Sequence, residues 1–463
     1  MRAVGALGAT AIVAGSMLGV GIFLTPRLVA LQVSSTGPYL LLWALGGIVA
    51  LAGAVAYAEL GTMFPRAGGD YVYLRHAFGP STGFASGWLL FAGVFCGSIS
   101  SMASAVCTYQ LSTLAAPLIE LDLAAPALGT LSGSQLAAIT LVLGLTVLNC
   151  LGVRASTMVQ TLATLVPFAV LTVVAVYALA TEPHTAAVAA PADTGEPWSV
   201  AGLAVAFLGV YFAYAGWNAV AYVGGEIDRP ERNIPLSLLG GAGLVTLLYL
   251  LLCAAFVAVL GIGGLRNAFE AGTASATALL GPGAEWWVAA LIAVALLGSV
   301  NATVLQGSRI AYAMATDGSL HPWFAALGST TAVPVRSLWA QALVSCLLIA
   351  TGSFDALIEL TSVAMLVMGG LAVLSLFVLR RREPDRARPY RATGYPVVPA
   401  LYLAVSATVI VSRCWQAWLS STRPDADALE WFPLLGLALF VVMLVGHSLA
   451  RRVTTGAGSS TEH

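Results

Sequence analysis

Gly15-Ser16-Met17-Leu18-Gly19-Val20-Gly21-Ile22-Phe23 sets three glycines within seven residues of a segment apolar enough to span a membrane. Glycine inside a helix costs about 1 kcal/mol relative to alanine. Three so close together mark a place where the helix comes apart. In hydrocarbon such a break is tolerated only where it is buried in protein or lines a polar cavity. A second interruption follows about two hundred residues on, at Phe212-Ala213-Tyr214-Ala215-Gly216-Trp217-Asn218. Matched breaks in two halves of a membrane chain point to a binding site near the bilayer midplane, as in transporters.

The 463 residues are 59% hydrophobic and only 9% charged, with mean hydropathy +0.89. Soluble domains carry about 25% charged residues, so this chain is polytopic and its main solvent is lipid. All twenty basic residues are arginine. No buried lysine can therefore carry a proton or stand in for sodium. The net charge of −1 and the absence of a basic stripe argue against nucleic acid. Cys96, Cys107, Cys150, Cys253, Cys346 and Cys414 lie in apolar segments without metal spacing and read as packing residues. The first apolar segment is too long for a signal peptide's core and reads as retained.

Apolar stretches predict about twelve spans, at 4–31, 37–64, 81–115, 133–152, 156–180, 199–225, 235–260, 285–308, 335–352, 355–379, 396–419 and 429–450. With a cytoplasmic N-terminus, sixteen arginines fall inside: Arg2, Arg66, Arg75, Arg154, Arg229, Arg232, Arg309, Arg336, six from Arg380 to Arg391, Arg451 and Arg452. Arg27, Arg266, Arg413 and Arg423 fall outside. That asymmetry is what the positive-inside rule demands, and it puts both termini in the cytoplasm. Residues 65–80 read as an interfacial helix with tyrosines at headgroup level, and 265–281 as a short outer cap. The segment 181–197 reads as loop, and 453–463 as a disordered tail after a single transporter domain over 1–452. Five spans per half (4–180 and 199–380) make the second half an inverted repeat of the first, with 396–450 left over.

Unwinding at the first break frees N–H groups around Gly19, Val20 and Gly21, which with the helix dipole suit a carboxylate. Carbonyls from Gly15 to Leu18 suit an ammonium group, joined by those of Phe212, Ala213 and Ala215. Gly216 at the second break belongs to the same substrate-binding set, and the bland alternative for the glycines is close helix packing. Phe212 reads as a gate and Trp217 as ordinary packing. Asn218 reads as either a ligand contact or a brace. Glu59 and Glu226 near inner helix ends suit proton relay or gate closure, with Arg309 as a partner; Asp70, Asp228 and Glu231 read as solvated. No zinc-protease, nucleophile-elbow or phosphate-loop motif is present, so no enzyme and no cofactor is expected.

GSMLGVGIF (15–23), AYAELGTMFPRAGGDYVYL (56–74), FAYAGWNAVAYVGGEIDRPERNIP (212–235), GSRIAYAMATDG (307–318) and RPYRATGYPVVPALY (388–402) together resemble the amino acid–polyamine–organocation superfamily, close to bacterial L-type amino acid transporters. The resemblance implies an all-α leucine-transporter-type fold with discontinuous helices 1 and 6, alternating access, and a free amino acid as substrate. It assigns the α-carboxylate to Ser16, Gly19, Val20 and Gly21. The α-amino group falls to Met17, Leu18, Phe212, Ala213 and Ala215, and the outer gate to Phe212. Many relatives carry a lysine midway along helix 5; here that position falls at or beside Pro167, which shifts the expectation from proton symport towards exchange. Relatives often have two acids where this chain has Gly225-Glu226. Neither break holds an acidic side chain, which favours neutral substrates over cationic amino acids or polyamines. Without an outer cysteine for a covalent partner, the chain is expected to work alone. A non-transporting receptor that kept the fold is the alternative from another class.

Overall fold

Helices carry nearly all of the computed structural model, which describes residues 4–115, 126–128, 131–181, 200–329, 331–351, 354–421, 438 and 440–449. The first span is two half-helices, α1 (Ala6–Met17) and α2 (Gly21–Gln32). Then come α3 (Thr36–Met63), the short α4 (Asp70–Phe78), α5 (Pro80–Ala115), α6 (Gly133–Cys150) and α7 (Val153–Ala180). The second interrupted span is α8 (Val200–Ala213) and α9 (Ala219–Tyr222). It is followed by α10 (Pro230–Asn267), α11 (Ala271–Leu280) and α12 (Ala284–Thr316). Last come α13 (Val335–Thr351), α14 (Phe354–Arg382), α15 (Val397–Ser421) and α16 (Phe440–Leu449). Among the described residues nine helices are long and apolar enough to cross a membrane, and the described parts of the predicted spans coincide with helix, only 440–449 of the last span among them. The predicted tail 453–463 and all but the first residue of the loop 181–197 lie outside the described residues.

The helices are inside-out amphipathic. On α7, Ser156, Gln160 and Thr164 recur every fourth residue and are buried, while Met158, Leu162, Leu165 and Val173 on the other side are exposed. A four-residue spacing keeps side chains on one face, and in lipid the polar face must turn inward. The buried amides and hydroxyls satisfy one another. Asn149 donates to Asn301 Oδ1 at 2.9 Å, Asn301 to Gln160 Oε1 at 3.2 Å, and Gln160 to Thr164 Oγ1 at 3.1 Å. Gly15 lies against this network: an added Cβ would sit 2.1 Å from Gln160 Nε2 and 2.2 Å from Thr164 Oγ1. Gly15→Val is therefore expected to misplace α1 and to lower the melting temperature of the purified protein by several degrees.

Two elements depart from expectation. α5 runs through two π-helical stretches, Leu89–Phe95 and Val106–Gln110, a geometry that concentrates at functional sites. The helix of 65–80 keeps its tyrosines inside the protein. Gly68 (φ 116°) and Gly69 (φ 47°) turn the chain back into the protein at angles that favour glycine. As a result Tyr71 and Tyr73 are 0% and 1% exposed instead of lying among headgroups. The Gly68 N–H donates to the Tyr222 carbonyl at 3.1 Å, which ties α4 to the second interrupted span.

Candidate functional site: two helix breaks around a closed cavity

At the first break the Leu18 N–H still reaches Ala14 O at 2.8 Å, and the Gly19 N–H folds back onto Met17 O at 2.7 Å. The N–H groups of Val20, Gly21 and Ile22, at the start of α2, find no backbone acceptor among the described residues. These are the orphan donors of a helix N-terminus. At the second break the ladder stops after Tyr214, Gly216 turns with φ 99°, and regular helix resumes only at Ala219.

The breaks touch each other through their glycines. A Cβ on Gly21 would lie 2.3 Å from Ala213 Cα, and one on Gly216 would lie 2.7 Å from the Ser16 carbonyl carbon and oxygen. The break glycines thus serve close approach as well as unwinding. Between the breaks sits a cavity of about 80 Å³. About 10–15 Å³ on the same measure holds one water, so several waters or a small zwitterion fit.

Ser16, Met17, Gly19, Val20 and Gly21 line this cavity from the first break, and Phe212, Ala213, Ala215, Gly216 and Asn218 from the second. Leu18 does not; it is fully buried away from the space. Several of the expected backbone groups are already engaged, the Phe212 carbonyl by the Ala215 N–H at 3.0 Å among them. The Gly19 N–H is internal, and the Tyr249 hydroxyl on α10 meets the carbonyls of both Met17 and Ala213, the latter at 3.1 Å. A hydroxyl has one proton to give, so Tyr249 serves one carbonyl at a time and spans the two breaks. Tyr249→Phe removes this bridge. A hydrogen bond contributes about 0.5–1.5 kcal/mol net, so the variant is expected to melt at a slightly lower temperature in detergent.

Side chains complete the lining. Gln306 on α12 donates to Ser16 Oγ at 2.8 Å, and Ser299 Oγ donates to Ser16 O at 3.3 Å. Asn218 lines the cavity and braces it, donating to Tyr222 OH at 3.2 Å. Phe212 is 7% exposed at the cavity wall. Trp217 reaches the wall too, but its ring packs edge-on against Tyr57 with centroids 4.7 Å apart. Ser98 Oγ is buried without a hydrogen-bond partner.

Asp70 is the main correction. It is 1% exposed and lines the cavity instead of meeting solvent; burial pushes its carboxyl up to about 7. The sequence signal was the Gly68-Gly69 pair directly before it. Asp228 and Glu231 are exposed.

The inner end is closed by charge and backbone. Arg309 pairs with Glu226 at 2.8 Å, Val4 N–H donates to Glu226 O at 3.0 Å, and Asp228 N–H to Val4 O at 2.9 Å. Glu59 takes no part in this. Fully buried on α3, it pairs with Arg380 at 2.5 Å and Arg388 at 3.2 Å, and accepts the Ala392 N–H at 2.7 Å. It anchors the arginine-rich segment after α14, well apart from Arg309. On the opposite side Arg266 Nε donates to Ala30 O at 2.8 Å, and Arg27 Nε to Arg266 O at 3.1 Å. α11 is the expected short outer helix; there Gln110 donates to Glu270 at 3.2 Å, and burial raises the Glu270 carboxyl.

A many-helix membrane protein with two interrupted spans around a small, mostly apolar cavity has the architecture of a secondary transporter. Residues 4–443 match the amino acid permease family, and the chain belongs to it. The b(0,+)-type amino acid transporter 1 of Mus musculus is 27% identical over 416 residues, covering 89% of this chain and 82% of its own length. The large neutral amino acids transporter small subunit 2 of Oryctolagus cuniculus is 28% identical over 423 residues, 89% and 76% of the two chains. The serine/threonine exchanger SteT of Bacillus subtilis is 29% identical over 423 residues, covering 89% of this chain and 91% of its own.

Proposed function

We propose that this permease carries free, neutral amino acids across the cytoplasmic membrane by alternating access, and that it catalyses no chemical transformation. The carrying observation is the pair of helix breaks in mutual contact around one small cavity. The orphan N–H groups of Val20, Gly21 and Ile22, with the dipole of α2 behind them, receive the α-carboxylate. The ammonium group meets the carbonyls of the first break and of Ala215, with Ser16 and Asn218 beside them. Where the carbonyls of Met17 and Ala213 take part, the Tyr249 hydroxyl yields its place. Phe212 covers the bound substrate.

The halves 4–180 and 199–380 rock as inverted repeats around this site, and breaking the Arg309–Glu226 pair opens the inner end. Both termini are cytoplasmic, as the arginine asymmetry requires. The chain works without a partner subunit. One relative is by name the small subunit of a transporter; the proposal differs from it in needing no second subunit.

The test is counter-flow of labelled amino acids into proteoliposomes preloaded with unlabelled ones. Neutral amino acids are expected to exchange; failure of every proteinogenic amino acid removes the proposal. Gly19→Leu tests the carboxylate site. A Cβ at Gly19 lies 3.1 Å from Ser299 Oγ, so a leucine there fills the cavity. Counter-flow is expected to vanish while the variant still elutes as a monodisperse, folded protein.

A further inference from the structure

The transport site contains a carboxyl group that no cation balances. Asp70 opens α4 at the cavity wall, 1% exposed, and its Oδ1 has no hydrogen-bond partner. No arginine or histidine among the described residues forms an ion pair with it. Its titratable neighbours are phenols from every side: Tyr57 on α3, Tyr222 on α9, Tyr211 on α8, Tyr402 on α15 and Tyr73 on α4 itself. The Tyr57 and Tyr222 hydroxyls adjoin the carboxyl and ease the cost of its charge, but burial outweighs them. α5 presents Val94, Phe95 and the Ser98 hydroxyl and α14 presents Met365 and Met368, none of them titratable. Ionising a carboxyl here would place a charge without a cationic partner in a buried site, which is costlier than holding its proton.

Asp70 is also attached to a part that must move. The Gly68 N–H bonds the Tyr222 carbonyl, and Gly69 lies so close to the Tyr222 ring that a Cβ would sit 2.6 Å from Cδ1. Opening the inner end displaces α9, and with it the cover over Asp70.

We propose that Asp70 is a proton-coupling residue: it takes a proton from the outer side with the substrate, holds it while the cavity is closed, and gives it to cytoplasmic water when the inner end opens. This deepens the transport proposal and rests on it. One proton and one zwitterion enter together, so each cycle carries one positive charge inward and Asp70 returns ionised. The sign follows from burial. The closed conformation favours the protonated acid, fully so at low pH, and loses that preference as pH rises through about 7. Hydrated conformations hold the proton far less well.

Proteoliposomes of the whole chain, clamped with valinomycin and filled with a pH-sensitive dye, test this with labelled leucine. The lumen is expected to acidify by one proton per leucine taken up, and an acid-outside gradient of one unit to support up to about tenfold accumulation. Net leucine uptake into unloaded vesicles without acidification overturns the coupling and leaves transport standing; absence of both net uptake and counter-flow overturns both. Asp70→Asn is expected to reduce the ratio of gradient-driven to equal-pH uptake to one. Asp70→Glu, which keeps a titratable group, should retain a ratio well above one. An unchanged ratio in the asparagine variant overturns the proposal. So does loss of labelled arginine counter-flow with the leucine ratio intact, since Asp70 would then serve a cationic side chain.

Discussion

Gly216→Val is expected to abolish amino acid counter-flow and to lower the melting temperature, the largest effect of any single substitution at the breaks. Two costs coincide there. The φ of 99° lies in the region that favours glycine, and holding a β-branched residue there costs about 1–3 kcal/mol. The new Cβ would also lie 2.7 Å from the Ser16 carbonyl carbon and oxygen. Those are backbone atoms of the other break and cannot swing aside like a side chain. Relief comes only by pushing the two broken spans apart, which opens the cavity and spoils both ends of the zwitterion site. Gly240→Ala on α10 is the control, because nothing lies within 4 Å of a Cβ there; it should keep both activity and melting temperature. Normal counter-flow by Gly216→Val would show that the breaks need not touch.

Breaking the inner ion pair is expected to be nearly as severe, and unequally so for its two members. Arg309 has a side chain 2% exposed, Glu226 one 20% exposed. Removing one partner of a buried pair costs about 3–5 kcal/mol, because the other charge is left stranded. Water reaches Glu226 more easily than Arg309, so Arg309→Ala should fall at the lower end of that range and Glu226→Ala at the upper. The double variant should recover part of the loss. Melting of the four proteins in detergent measures the cycle. Both single variants should also label faster at a cysteine placed in the cavity and probed from the inside, since the closed inner end loses its lock. Equal melting temperatures for the two single variants would mean that the pair is not buried as unequally as it stands here.

The contrast between Glu226 and Glu59 shows what could be read without coordinates. Both are acids near inner helix ends, and both suit pairing with arginine. Nothing local says which arginine. Glu226 found Arg309, whereas Glu59 found Arg380 and Arg388 from a segment over three hundred residues away. Asp70 reads as solvated for a similar reason. Its neighbours in sequence are polar, and only the turn at Gly68-Gly69 carries it under α9. Tyr249 escaped notice inside a long apolar run, though a polar group in a span is itself a signal of an inward-facing partner.

The sequence by itself determined the spans and the two breaks. Hydrocarbon leaves the backbone no outside partner, so apolar length sets each helix and clustered glycines decide where one stops, both local properties. Tertiary structure alone decided which freed groups stay free, since Tyr249 reaches two of the carbonyls, and which acids are isolated or paired. Those outcomes depend on which helix faces meet across the bundle, and side-chain distances across a bundle are not encoded in any one segment.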